Sequence, residues 1–132
     1  MRTGGCDRMG LTVMVVDDEA DVRLIARLVL GAAEFDVMEV DSGVSAMAEL
    51  EAGRHPDVLL LDVRMPGLDG WSVLRQIRAD PSLEHLPVVV FTADMSARGE
   101  APDELREGDV LITKPFQADD LLRAVQTAVG PR

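Results

Sequence analysis

The segment LTVMVVDDEADVRLIARLVLGAA, residues 11–33, decides the fold class of this chain. Its first six residues form a nearly continuous apolar run with several β-branched side chains, which predicts a buried strand. From Ala20 onward, apolar residues recur at helical spacing, among them Val22, Ile25 and Val29, which predicts a helix. A strand followed at once by a helix is the repeating unit of parallel sheets.

The same strand and helix pattern repeats along the rest of the chain. Further strands are predicted at residues 35–40, 58–61, 88–91 and 110–112, and further helices at residues 44–52, 71–79, 96–107 and 118–129. Strands that are solid apolar runs, rather than alternating ones, are typical of a parallel sheet with helices covering both faces. The sequence therefore predicts a doubly wound α/β fold with five strands and five helices.

The helix at residues 96–107 has the weakest pattern, because Gly99 and Pro102 interrupt it. A proline in a helix interior costs about 3 kcal/mol, so Pro102 is expected in a first turn. We expect this helix to be short or loosely formed.

The composition indicates one domain. The chain has 132 residues, and 47% of them are hydrophobic, which is enough for one compact core but not for two. Its 24 acidic residues against 13 basic ones give a net charge of -11, which repels a nucleic-acid backbone. Direct binding of DNA or RNA is therefore not expected.

Residues 1–10 are predicted to form a flexible leader before a domain at residues 11–129. The leader has no apolar stretch of the kind that a signal peptide requires, and apolar runs elsewhere are too short to cross a membrane. The single cysteine, Cys6, cannot form a disulfide within the chain, which fits a reducing compartment. We expect a cytoplasmic protein that does not bind membranes.

Polar side chains follow four of the predicted strands. Asp17 and Asp18 follow the first strand, Asp62 the third, Thr92 the fourth and Lys114 the fifth. Each alone has a simpler interpretation, since aspartate and threonine often cap helices or form turns and a lysine after a strand is usually solvated. Because ligands of open parallel sheets bind beyond the carboxyl ends of the strands, their common placement there favours a shared site.

Three carboxylates at one edge favour a bound cation. Two carboxylates about 4 Å apart repel each other by about 4 kcal/mol at an effective dielectric constant of about 20. Oxygen ligands with room for water favour Mg2+ over zinc. With the charge offset by the metal, Asp62 is free to attack phosphorus and form an acyl phosphate, and Thr92 and Lys114 can stabilise the transferred group.

Four segments together resemble the receiver domains of bacterial two-component response regulators. They are VVDDE at residues 15–19, LLLDVRMPGLDG at 59–70, VFTA at 90–93 and TKPF at 113–116. The resemblance extends over roughly residues 11–129. It implies the CheY-like form of the flavodoxin-like fold, with a five-stranded parallel sheet in strand order 2-1-3-4-5.

The resemblance also implies roles for individual acids at a Mg2+ site. Asp62 would be the phosphoacceptor, and Asp18 and Asp62 would bind Mg2+ directly. Asp17 would act mainly through a coordinated water, and the backbone carbonyl of Arg64 would be a further ligand.

The resemblance also implies roles around the phosphoryl group for residues at or after the ends of the last two strands. Thr92 would hydrogen-bond to a phosphoryl oxygen and reorient on phosphorylation, and Lys114 would pair with another oxygen. Pro115 would follow a cis peptide bond that aims the lysine.

Three features depart from the usual receiver pattern. Leu111 stands where the family often has an aromatic residue. Leucine has no ring that could move between buried and exposed positions when Thr92 reorients, so the coupling of phosphorylation to output is expected to change. The interrupted helix at residues 96–107 belongs to the usual output face. Arg64 and Asp94 are hypothesised to form an ion pair that controls water access to the acyl phosphate; the alternative is two solvated side chains.

The predicted function is that of a phosphoacceptor in two-component signalling that catalyses only its own phosphorylation and dephosphorylation. Its donor would be a histidine kinase or a histidine phosphotransfer protein, and its output would be contact with a downstream protein target. The sequence leaves open whether the chain forms a homodimer, and whether it acts alone or as part of a larger regulator or hybrid kinase.

Two other interpretations compete with this one. A pseudo-receiver would keep the fold and bind partners without phosphate, which Leu111 favours and the intact acids, Thr92 and Lys114 oppose. A phosphatase of the haloacid-dehalogenase type would also use an aspartyl phosphate. Such enzymes have D-x-D at the nucleophile strand, whereas this chain has DVR at residues 62–64 and no cap domain.

Overall fold

The computed structural model describes residues 10–63, 67, 69–92, 109–113 and 117–129. Its strands are β1 (Thr12–Val16), β2 (Asp36–Val40), β3 (Val58–Asp62), β4 (Val88–Thr92) and β5 (Val110–Thr113). Its helices are α1 (Ala20–Ala32), α2 (Gly43–Glu51), α3 (Gly70–Ala79) and α4 (Ala118–Val129). These nine elements confirm the sequence prediction to within about one residue at each end. The helix predicted at residues 96–107 lies outside the described residues, and so does the leader apart from Gly10.

All five strands run parallel in one sheet, in the order β2-β1-β3-β4-β5. This order confirms the predicted doubly wound fold and the strand order that the family resemblance implied. The direction of winding changes at β1, because β2 lies on one side of it and the later strands lie on the other. The register places Val16 of β1 beside both Val40 and Leu61, so β1 and β2 end level with one another and β3 extends one residue further.

Both faces of the sheet are buried, which explains why its strands are solid apolar runs. β1 directs Met14 and Val16 into one core cluster, and Val13 and Val15 into a second cluster on the opposite face. Side chains of α2 and α3 complete the first cluster, and side chains of α1 and α4 complete the second. Each fully buried side chain of this size contributes about 1.5 to 3 kcal/mol.

The buried face of α1 is narrower than its apolar pattern. Ala26 and Leu30 are fully buried, whereas Ile25 is 49% exposed. Neighbouring residues of a helix point about 100° apart, so a face centred on Ala26 and Leu30 leaves Ile25 at its margin.

The lengths and hydropathy of the helices decide whether any of them could cross a membrane. In the described ranges, no helix is both long enough and apolar enough to span a bilayer.

A buried ion pair connects α3 to the amino ends of β4 and β5. Nη2 of Arg78 donates to both carboxylate oxygens of Asp109, at 2.8 and 2.7 Å, and the two side chains are each 3% exposed. Nη1 of Arg78 donates to the carbonyl oxygens of Glu84 and Leu86, both at 2.8 Å. Asp109 also accepts the N–H of Val88 at 3.2 Å. One guanidinium thus holds together the end of α3, the following loop and the start of β5.

We expect Arg78→Met to lower the free energy of unfolding by about 3 to 5 kcal/mol, because it leaves the carboxylate of Asp109 buried without its cation. The matched control is Arg54→Met, which removes an exposed pair with Glu49 and should cost less than about 1 kcal/mol. Urea unfolding of both variants measures the difference. Equal midpoints for the two variants would contradict a structural role for the buried pair.

Candidate metal centre

Three aspartates meet at the carboxyl edge of the sheet. Asp17 follows β1, Asp18 is the next residue, and Asp62 ends the neighbouring strand β3. One carboxylate oxygen from each of the three lies within 4.8 Å of the others. Asp17 is fully buried and Asp62 is 3% exposed, whereas Asp18 is exposed to solvent. The fold therefore gathers the three acids that the sequence singled out, and one of them faces water.

Asp17 is held in place by contacts from three directions. Its N–H donates to the carbonyl oxygen of Val40 at the end of β2, at 3.1 Å. Its Oδ1 accepts the N–H of Glu19 at 2.8 Å, and its carbonyl oxygen accepts Nη1 of Arg23 at 2.7 Å. The carboxylate of Asp17 thus supports the turn into α1 and belongs to the acidic cluster at the same time.

Asp62 is positioned by the return of the chain into α3. The N–H of Gly70, the first residue of α3, donates to the carbonyl oxygen of Val63 at 2.9 Å. Asp69 caps the helix by accepting the N–H of Ser72, also at 2.9 Å. A Cβ on Gly70 would overlap the carbonyl oxygen of Asp62 and lie 2.7 Å from Cα of Val63. Because glycine has no Cβ, α3 can begin directly against the backbone of Asp62.

The carboxyl ends of β4 and β5 lie along the same edge of the sheet. Asp62 pairs with Phe91, so the backbone of Thr92 lies one residue beyond that pair. Thr92 in turn pairs with Thr113, the last residue of β5. Lys114 is the next residue in the chain but lies outside the described residues, so its predicted role stays a prediction.

Of the remaining predicted site residues, Leu111 is in the part of the chain that the structure describes. Arg64, Asp94 and Pro115 lie outside the described residues, and their roles stay predictions. Leu111 pairs with Val90 in the sheet and packs, partly buried, against the core cluster of α2 and α3. Its side chain therefore fills space in the core.

The residues of the cluster fit the metal that the sequence predicted. Carboxylates at about 4 Å repel by about 4 kcal/mol per pair at an effective dielectric constant of about 20. Burial of Asp17 and Asp62 limits how far water can screen that repulsion, so a bound cation is favoured. The donors are carboxylate oxygens, which suit Mg2+ better than zinc, and the exposed Asp18 leaves the cluster open to a hydrated ion.

Arg23 is the residue beside this site that the sequence reasoning missed. It lies at the end of the first turn of α1, from where it reaches back to the carbonyl oxygen of Asp17. Its Nε also lies 3.6 Å from Oε1 of Glu39 on β2. A basic residue five positions after Asp18 was a signal in the sequence, but the contact with Glu39 depends on the pairing of β1 with β2.

Comparison with known proteins gives one consistent result. Residues 13–126 match the model of the response regulator receiver domain family. Response regulator PleD of Caulobacter vibrioides is 40% identical over 116 residues, which cover 86% of this chain and 24% of PleD. Chemotaxis protein CheY of Listeria monocytogenes is 33% identical over 121 residues, which cover 89% of this chain and 98% of that protein. The solved structure of chemotaxis protein CheY4 of Vibrio cholerae matches with a TM-score of 0.79 at 25% identity, covering 90% of this chain and 98% of that one.

We expect Gly70→Ala to destabilise the protein by at least about 2 kcal/mol, because backbone atoms of Asp62 and Val63 stand where the methyl group would go. The matched control is Gly31→Ala in α1, where a Cβ meets nothing within 4 Å. That change should stabilise the helix by about 0.5 to 1 kcal/mol. Both values can be measured by urea unfolding. A Gly70→Ala protein as stable as the wild type would disprove the close approach of α3 to Asp62.

Proposed function

The chain belongs to the response regulator receiver domain family, and we propose that it is a phosphoacceptor switch of two-component signalling that is phosphorylated on Asp62. The observation that supports this proposal is the position of Asp62 at the carboxyl end of the central strand β3, with two further carboxylates within 4.8 Å. Because Asp62 is nearly buried, the transferred group would be surrounded largely by protein rather than by bulk water.

The proposed cofactor is Mg2+. Asp18 and Asp62 would hold it directly, Asp17 would act mainly through a water, and the backbone carbonyl of Arg64 would be a further ligand. The three carboxylates that converge in the structure support this assignment. When bound, the metal supplies positive charge that offsets the carboxylates and the phosphoryl oxygens.

The reaction proposed for Asp62 is attack of a carboxylate oxygen on the phosphorus of a phosphohistidine. An oxygen to phosphorus bond forms while the bond from phosphorus to the histidine nitrogen breaks, and that nitrogen keeps the electron pair. Thr92 would hydrogen-bond to one phosphoryl oxygen and Lys114 would pair with another, with Pro115 aiming the lysine. The chain would catalyse this transfer and the later hydrolysis of its own acyl phosphate, and no other reaction.

The proposed donor is a histidine kinase or a histidine phosphotransfer protein, and the proposed output is contact with a downstream protein target. The matched region is 24% of PleD but 98% of CheY, so domains of this family occur within long proteins and also nearly alone. Both arrangements are compatible with signalling through the surface of the receiver domain.

The alternative function is that of a pseudo-receiver, which binds partners without phosphate. The observation that favours it is Leu111, which is packed against the core and has no ring to exchange between buried and exposed positions. The acidic cluster argues against it, because three converging carboxylates suit a divalent cation, which a module that binds partners without phosphate does not need.

We expect the wild-type protein to gain one phosphoryl group when it is incubated with acetyl phosphate and MgCl2, as measured by intact mass over time. Asp62→Asn should show no gain, because the amide is not a nucleophile toward phosphorus. The matched control is Asp36→Asn, which changes an exposed aspartate at the amino end of β2 and should leave the gain unchanged.

Two outcomes would contradict the proposal. No gain in a folded wild-type protein would favour the pseudo-receiver, and an equal gain in Asp62→Asn would place the phosphoacceptor elsewhere. Chelation of Mg2+ with EDTA should abolish the gain in the wild type, whereas a gain that persists would remove the metal from the proposal.

The hypothesis of an ion pair between Arg64 and Asp94 can be tested on the phosphorylated protein. Replacing both residues with alanine should speed the loss of the phosphoryl group by up to about fivefold, since exposed pairs contribute less than about 1 kcal/mol. The decay of the phosphorylated mass gives the rate. An unchanged rate would show that the two side chains are merely solvated.

A further inference from the structure

The contact between Arg23 and the backbone of Asp17 joins α1 to the acidic cluster. Nη1 of Arg23 donates to the carbonyl oxygen of Asp17 at 2.7 Å, and the arginine side chain is only 18% exposed. A charged donor at this distance makes a strong hydrogen bond to a carbonyl oxygen. Partial burial protects that bond from competition by water.

The carbonyl oxygen of Asp17 belongs to the peptide group that joins Asp17 to Asp18. Because a peptide group is planar, holding its oxygen also holds the N–H of Asp18 and restricts the direction in which the Asp18 side chain leaves the backbone. The N–H of Asp17 is already held by Val40, and its carboxylate accepts the N–H of Glu19. Arg23 therefore acts on the peptide that leads to the solvent-exposed acid of the cluster.

Arg23 is in turn held by the edge strand β2. Its Nε lies 3.6 Å from Oε1 of Glu39, and Glu39 is paired in register with Val15 of β1. The second carboxylate oxygen of Glu39 lies 3.5 Å from Nε of Arg27, whose side chain is 54% exposed. Arg27 thus shares the acidic partner of Arg23 and provides a natural comparison for it.

We propose that Arg23 is a positioning residue that orients the Asp17 to Asp18 peptide and so sets the affinity of the acidic cluster for Mg2+. This inference rests on the proposed metal site. Arg23 also brings a positive charge close to that site, and charge alone would weaken cation binding. The two effects have opposite signs, so removal of the guanidinium distinguishes them.

The test is calorimetric titration of the whole protein with MgCl2. Arg23→Met removes the donors and the charge but keeps an apolar stem, and it should raise the Kd for Mg2+ by about tenfold, as is typical when a partner that orients metal ligands is lost. Arg23→Lys keeps the charge and one donor nitrogen but loses the planar guanidinium, so its Kd should lie between those of the wild type and Arg23→Met. The matched control is Arg27→Ala. Its Kd for Mg2+ should stay within about twofold of the wild-type value, because Arg27 is exposed and its pair with Glu39 contributes little.

An affinity of Arg23→Met that equals or exceeds that of the wild type, in a protein whose circular dichroism shows it folded, would overturn the inference. If Arg23→Met does not fold, Arg23→Lys provides the second test, because it keeps the positive charge but cannot bond to the carbonyl oxygen of Asp17 and to Glu39 with one planar group. A raised Kd for Mg2+ in Arg23→Lys would support the positioning role, and an unchanged Kd would overturn it.

The titration separates this inference from the proposed function. If the wild type binds Mg2+ more tightly than Arg23→Met and yet gains no mass from acetyl phosphate, that result would contradict only the phosphoacceptor role. Normal phosphorylation of the wild type, together with equal Kd values for Mg2+ in the wild type and Arg23→Met, would contradict only the positioning role. Failure of the wild type to bind Mg2+ would overturn both.

Discussion

The parallel pairing of β1 with β2 and β3 is the constraint on which the rest of the structure depends. β1 and β3 are buried on both faces, so the polar residues that follow them in the chain lie beyond the ends of the strands. The register pairs Val16 with Leu61, and the residues that follow them in the chain, Asp17 and Asp62, therefore meet. Repulsion of about 4 kcal/mol per pair of acids is outweighed by the burial of several strand side chains at about 1.5 to 3 kcal/mol each.

The two ends of the sheet hold their buried charges in different ways. At the amino end, Arg78 and Asp109 neutralise each other within the chain and connect α3, β4 and β5. At the carboxyl end, three carboxylates of like charge converge. The pair of opposite charges stabilises the fold, whereas the converging carboxylates supply oxygen ligands of the kind that a divalent cation prefers.

The edge strand β2 influences the site without supplying an acid to the cluster. Val40 accepts the N–H of Asp17, and Glu39 lies beside Arg23, which holds the carbonyl oxygen of Asp17. Two neighbouring residues of β2 thus fix the peptide groups on either side of Asp17. The precision of an oxygen-ligand site depends on such supporting contacts as well as on the ligands themselves.

The amino-acid sequence by itself determined the strands, the helices and the acids of the site, because apolar runs, helical spacing and residues at strand ends are local patterns. It also contained the four segments whose order resembles the receiver family. Only the tertiary structure decided which side chains support those acids. Neither the contact of Arg23 with Glu39 nor the pair of Arg78 with Asp109 follows from spacing, and Ile25 lies outside the buried face despite its helical spacing. Such contacts depend on which strands and helices become neighbours, and that is settled by packing of the whole chain.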